Sequence, residues 1–164
     1  MTTHTDEKAH KINRLSPFIT LRLNALISRI VDARDGYQQA SETVRDDDLK
    51  ALFTYSSEQR DEFCSALEHA MEEWGAPSEE WRPLKHTLRS AVISLKEIFT
   101  DHPPHEVIDE CLSFEGDAIG EYASLIDEKG IPAELGALLA EQRDRIVAEI
   151  EQLKRLHLEV ESEN

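Results

Sequence analysis

The chain has 164 residues, and 34 Asp and Glu against 18 Lys and Arg give it a formal net charge of −16. That length suits one domain with a real core. The charge argues against nucleic acid and anionic membrane surfaces, which both select Lys/Arg patches, and no apolar run approaches the ~20 residues that span a bilayer.

Residues 1–15, MTTHTDEKAHKINRL, read as a polar tail with no apolar stretch of the kind a signal peptide needs. Residues 16–160 read as one helical bundle domain. Ser16-Pro17 is an N-cap followed by proline at the first helical position. From there Leu23, Leu26, Ile30, Ala33, Tyr37, Ala40 and Val44 recur at alternating steps of three and four, a heptad seam. The run Asp46-Asp47-Asp48 ends this helix and caps the next, because carboxylates suit a helix N-terminus. The second helix carries Leu49, Leu52, Ser56, Gln59, Phe63, Leu67, Ala70 and Trp74 on its seam and stops at Gly75.

A shorter amphipathic segment follows, with Leu84, Leu88, Val92, Leu95 and Phe99. The stretch from Thr100 to Pro104 breaks it and begins the third helix, with Ile108, Cys111, Glu115, Ala118, Tyr122 and Leu125 on its seam. Lys129-Gly130 ends that helix, and Pro132 opens a fourth carrying Leu135, Leu138, Gln142, Ile146, Ile150, Leu153 and His157. No strand signal competes, so the expected class is all-α. Short turns make the first and second helices, and the third and fourth, antiparallel hairpins. Roughly 16 helical residues in the intervening segment cover ~24 Å, enough to carry the chain back along the bundle. The second and third helices then run parallel.

The tetrapeptide Glu-Gln-Arg-Asp occurs twice, at Glu58 to Asp61 and at Glu141 to Asp144. Aligning the copies places Gln59 and Gln142 on interior seams and the residues beside them at the flanks. Gln59 and Glu115 fall at equal depth, with Asp32 of the first helix near that level and Gln142 about a turn away. Glu115 is the carboxylate squarely on a seam, and a core carboxylate must be paired, bonded or protonated.

The stretches LNALISRIVDARDGYQQA, LKALFTYSSEQRDEF, CLSFEGDAIGEY and IPAELGALLAEQRDRI resemble an uncharacterised bacterial family of ferritin-like four-helix bundles, over about residues 17–155. The resemblance implies a ferritin-like bundle with a helical crossover between the second and third helices, and supplies no activity. The superfamily's di-iron ligands would be Glu on the first and third helices and Glu-x-x-His on the second and fourth. Glu115 can stand at the third-helix position, and Asp32 or Asp35 lies near the first-helix one. Neither Glu58-x-x-Asp61 nor Glu141-x-x-Asp144 has its histidine, and no histidine in the bundle helices follows a Glu at that step.

Two readings of the interior follow. In the first, no cofactor is bound and Glu115, Gln59, Gln142, Arg60, Arg143, Tyr37 and Tyr122 form a buried polar network that fixes helix register. In the second, an all-oxygen site for manganese, magnesium or calcium is built from Glu115, Glu58, Glu141 and Asp32, with iron or manganese as the cofactor if the protein is an oxidoreductase or a storage protein. The first leans away from catalysis, toward a structural or interaction protein, a stress-associated role included. The second is a metal-dependent oxidoreductase or metal-storage protein. A third expectation is an acidic surface that binds a second copy of the chain or a basic protein. His102-Pro-Pro-His105 lacks a third ligand. Cys64 and Cys111 lie on apolar faces, about 13 Å apart along the bundle, too far for a disulfide and suited to reduced thiols in a cytoplasm. Gly116 and Gly120 suggest close helix packing.

Overall fold

The computed structural model describes residues 15–76 and 104–162. These form four helices and no strand: α1 (Pro17–Thr43), α2 (Asp47–Glu73), α3 (Pro104–Ile126) and α4 (Ala133–Ser162). Residues 1–14 of the polar tail, the amphipathic segment over 84–99 and His102 lie outside the described residues.

The boundaries follow from local chemistry. Ser16 Oγ accepts from the Ile19 N–H at 3.1 Å, with Pro17 at the first helical position. Asp46 Oδ1 accepts from the Leu49 N–H at 2.9 Å, and Asp47 and Asp48 add negative charge to the first turn of α2. That helix stops where Gly75 takes a φ of 73°, allowing Ala76 N–H to reach back to Met71 O at 2.8 Å. This is a Schellman closure, open to glycine because its left-handed conformation meets no Cβ.

Contacts between side chains fix the helix directions. Residue numbers rise along α1 as they fall along α2, since Arg34 pairs with Asp61 and Tyr37 stacks on Phe53. The same opposition joins α3 to α4 through Asp109–His157 and Tyr122–Gln142. It recurs between α1 and α3 (Arg22–Glu128, Tyr37–Glu115) and between α2 and α4 (Ser56–Glu149, Glu62–Arg145). The packing is that of a four-helix bundle in which both hairpins are antiparallel and α2 and α3 point the same way.

Two apolar clusters fill the interior on either side of a polar layer. One gathers Leu23, Leu26, Phe63, Leu67, Leu125 and Leu139. The other gathers Phe53, Ile108, Cys111, Phe114 and Leu153 around the ring of Tyr37. The seam residues Leu26, Ile30, Leu52, Phe63, Leu67, Ile108, Ala118, Ile146 and Ile150 are all buried. Among the described residues, no helix is long and apolar enough to cross a membrane. Cys64 and Cys111 are buried and not joined in a disulfide.

Two expectations need correction. On α4 the buried line runs Leu135, Leu139, Gln142, Ile146, Glu149 and Leu153, while Leu138 and His157 are only half-buried. That line alternates steps of four and three, the spacing that keeps a helix face on its neighbours. The expected seam opened on a step of three, to Leu138, and then took three consecutive steps of four, which carried it past Glu149 to Ile150. Gly116 and Gly120 are exposed, and a Cβ at either would meet nothing within 4 Å among the described residues, so they mark no close helix approach.

Candidate functional site

The polar layer is built around Arg60, a residue only 1% exposed. Its α2 turn sits opposite α3 and beside α4, and both supply carboxylates. One terminal nitrogen donates to Glu115 Oε1 at 2.5 Å. The other donates to Glu149 Oε2 at 3.1 Å and to Gln59 Oε1 at 2.5 Å. Tyr37 of α1 donates its hydroxyl to Glu115 Oε1, and the Ser56 hydroxyl contacts Glu149 Oε1. Each of the four helices therefore contributes a side chain to one hydrogen-bonded cluster. The rings of Tyr37 and Phe63 also lie 5.7 and 5.6 Å from the guanidinium carbon, close enough for a cation–π contribution.

The electrostatics follow from one cation facing two carboxylates. Burial alone would pull the Arg60 pKa down, but Glu115 and Glu149 reverse this and hold it above its ordinary value, so the guanidinium stays charged. Burial raises the Glu149 carboxyl, and the attraction of Arg60 only partly offsets it. Burial likewise pushes the Tyr37 phenol and the Cys111 thiol well up, and the charge on Glu115 adds to both. With two carboxylates facing one cation, Glu149 is the carboxyl whose charged form burial and the nearby Glu115 disfavour.

A second, smaller unit lies beside the first. Gln142 accepts from the Tyr122 hydroxyl at 2.8 Å and donates to Phe63 O at 3.3 Å. Burial raises the Tyr122 phenol, so it remains a donor. Gln142 is a core amide that satisfies its neighbours without touching the charges.

The sequence-based candidates divide cleanly. Glu115, Gln59, Gln142, Arg60, Tyr37 and Tyr122 are buried and take part in these two units. Arg143 does not join them: it is half-buried and pairs with neighbouring Asp144 at 3.3 Å. The proposed oxygen-ligand set is not assembled either. Glu58 and Glu141 are exposed while Glu115 is 0% exposed, because positions preceding the inward glutamines point to solvent. Asp32 is buried on α1. Among the described residues no three His, Cys, Asp or Glu side chains converge as metal ligands.

Glu149 is the residue that sequence reasoning missed. It sits in the charged run Ala148-Glu149-Ile150-Glu151-Gln152, which reads as solvated. A strict seven-residue step from Leu135 through Gln142 reaches Glu149 and then Leu156, and that signal places it inside.

The fold and this layer together define an all-α four-helix bundle crossed by a buried arginine–carboxylate cluster. The family described as "Domain of unknown function (DUF2383)" matches residues 19–128, and the chain belongs to it. The matched span holds Tyr37, Ser56, Gln59, Arg60 and Glu115, whereas Glu149 lies beyond it on α4. No curated protein matches the chain.

Proposed function

We propose that this chain is a non-catalytic, ferritin-like bacterial bundle with a structural or interaction role, in which an arginine-centred cluster stands in for the superfamily's metal centre. The observation that carries the reading is the position of Arg60 between Glu115 and Glu149, carboxylates of two different helices. A guanidinium supplies there the positive charge that metal ions supply between inward carboxylates in ferritin-like proteins. The donor set supports the same view. A metal at this place would have to displace a buried cation, and it would find two carboxylates with amide and hydroxyl neighbours but no histidine. The parallel course of α2 and α3 supports a ferritin-like crossover between them. On this reading the protein is cytoplasmic, binds neither nucleic acid nor membranes, and presents its acidic surface to a second copy or a basic protein.

The test is metal dependence. Protein purified without chelator should contain no stoichiometric iron or manganese by elemental analysis. Its melting temperature should not respond to iron, manganese or EDTA, in the wild type or in Glu115→Gln. A metal-induced rise in the wild type that disappears in Glu115→Gln would overturn the reading. It would favour a carboxylate-based metal-binding oxidoreductase or storage protein instead.

A further inference from the structure

Beside the cluster lies a cavity of about 10 Å³ lined by Leu26, Arg29, Arg60, Glu115, Ala118 and Tyr122, among others. Two of the residues that line it each carry a buried polar atom without a protein partner. Glu115 Oε2 is buried and accepts from nothing, its companion Oε1 taking both Tyr37 and Arg60. Arg29 Nε is buried and donates to nothing, while the terminal nitrogens of Arg29 pair with Glu121 at 3.5 Å and Asp117 at 3.7 Å. One residue of α1 thus brings an unused donor, and one of α3 an unused acceptor, to the same small space.

We infer that this cavity is a binding site for a single water molecule, which accepts from Arg29 Nε–H and donates to Glu115 Oε2. The volume is about that of one water-sized probe, the least that holds a water, and the polar partners such a water requires are present. The cost of leaving a buried donor and acceptor unpaired supplies the affinity. Charge selects the ligand class. A metal cation would face the guanidinium groups of Arg29 and Arg60 with one free carboxylate oxygen, and an anion would face Glu115. A neutral molecule able to accept and donate suits both walls. The ring of Phe114, 5.0 Å from the Arg29 guanidinium carbon, holds that side chain over the site. The bound water extends the buried cluster to Arg29 and, through it, to Asp117 and Glu121 at the surface of α3.

A high-resolution crystal structure of the wild-type chain tests this directly. The expected result is one density peak within about 2.7–3.2 Å of both Arg29 Nε and Glu115 Oε2, with no anomalous signal after a manganese soak. An empty cavity with both atoms in place, or a manganese anomalous peak, overturns the proposal. Arg29→Met keeps the apolar stem and removes the donor. Counted by oxygen-17 relaxation dispersion, long-lived internal waters should fall by one in this variant. An unchanged count would also overturn it.

Discussion

The two copies of Glu-Gln-Arg-Asp share four letters and a helical setting, yet their arginines end in opposite places. Arg60 is buried at the centre of the bundle, while Arg143 lies half-exposed against Asp144. The glutamines agree: Gln59 and Gln142 both point inward. What differs is the surroundings of the residue after each. Around Arg60 the neighbouring helices bring Glu115 and Glu149 within hydrogen-bond range. Around Arg143 the described side-chain bonds reach only Asp144 of its own helix, and no neighbouring helix brings it a carboxylate among the described contacts. A guanidinium enters a core only where acceptors converge, because an uncompensated buried charge costs far more than the apolar area it covers. The tetrapeptide does not decide its own burial. Its partners do.

The largest effect expected from this contrast is at the arginines themselves. Arg60→Met leaves two buried carboxylates without their cation and should cost about 3–5 kcal/mol in urea unfolding. Arg143→Met removes a partly exposed contact and should change stability by less than about 0.5 kcal/mol. Comparable losses at the two sites would show that Arg60 is not the keystone of the layer. Replacing the whole cluster sharpens the point. Arg60→Met combined with Glu115→Leu and Glu149→Leu should recover most of the loss, since apolar replacement of a complete buried ionic group is often neutral or stabilising.

The glutamines should behave more alike. Gln142→Leu strands the Tyr122 hydroxyl, and a stranded buried group costs about 1–3 kcal/mol. Gln59→Leu removes one of several acceptors of Arg60, which keeps both carboxylates, and should fall at about 1 kcal/mol. A Gln59 effect larger than that of Gln142 would mean that the amide, and not the carboxylates, secures the arginine.

Much of the fold was legible because it depends on spacing alone. The steps of three and four through Leu23, Leu26, Ile30, Ala33, Tyr37 and Ala40 name a buried face whatever packs on it, and all six are buried. Glu115 was legible for the same reason, as a carboxylate on such a face. Arg60 was harder: it sits one position off the seam, and only its partners turn it inward. Glu149 was hidden among charged neighbours, since its burial depends on Ser56 and Arg60, residues distant in the chain. The charges that matter here are set by tertiary contacts that periodicity does not encode.

The alkaline side of the stability curve reports on the apolar cluster next to the layer. Cys111 and Tyr37 have folded pKa values raised above 9.0 and 10.0, chiefly by burial. A raised folded pKa means that the unfolded chain loses its proton first. The stabilisation is complete below the unfolded values and is lost as pH climbs past them. Each suppressed ionisation should cost about 1.4 kcal/mol per pH unit above its unfolded value. Melting temperature should fall from about pH 9 upward, and Cys111→Ala should flatten the first part of that fall. An unchanged slope in the variant would remove Cys111 from the account.

Within the buried cluster the smallest effect is expected at Glu149, the residue that separates the two copies. In the register that superposes the tetrapeptides it falls opposite Ala66 of α2, so the first copy has no counterpart to it. Its carboxyl is raised by burial, with Arg60 opposing. Glu149→Gln keeps the shape, keeps an oxygen for Arg60 and resembles the protonated acid. The expected change at pH 7 is below about 1 kcal/mol, far from that of Arg60→Met. The pH dependence gives the sign. A carboxyl with a raised folded pKa stabilises fully below its unfolded value, near 4.5, and that contribution is lost as pH rises through the folded one. The wild type should therefore stand highest relative to Glu149→Gln at low pH and lose ground toward neutrality. A difference that grows in the wild type's favour as pH rises would mean that the fold lowers the Glu149 carboxyl instead of raising it. Arg60 would then outweigh burial at that position.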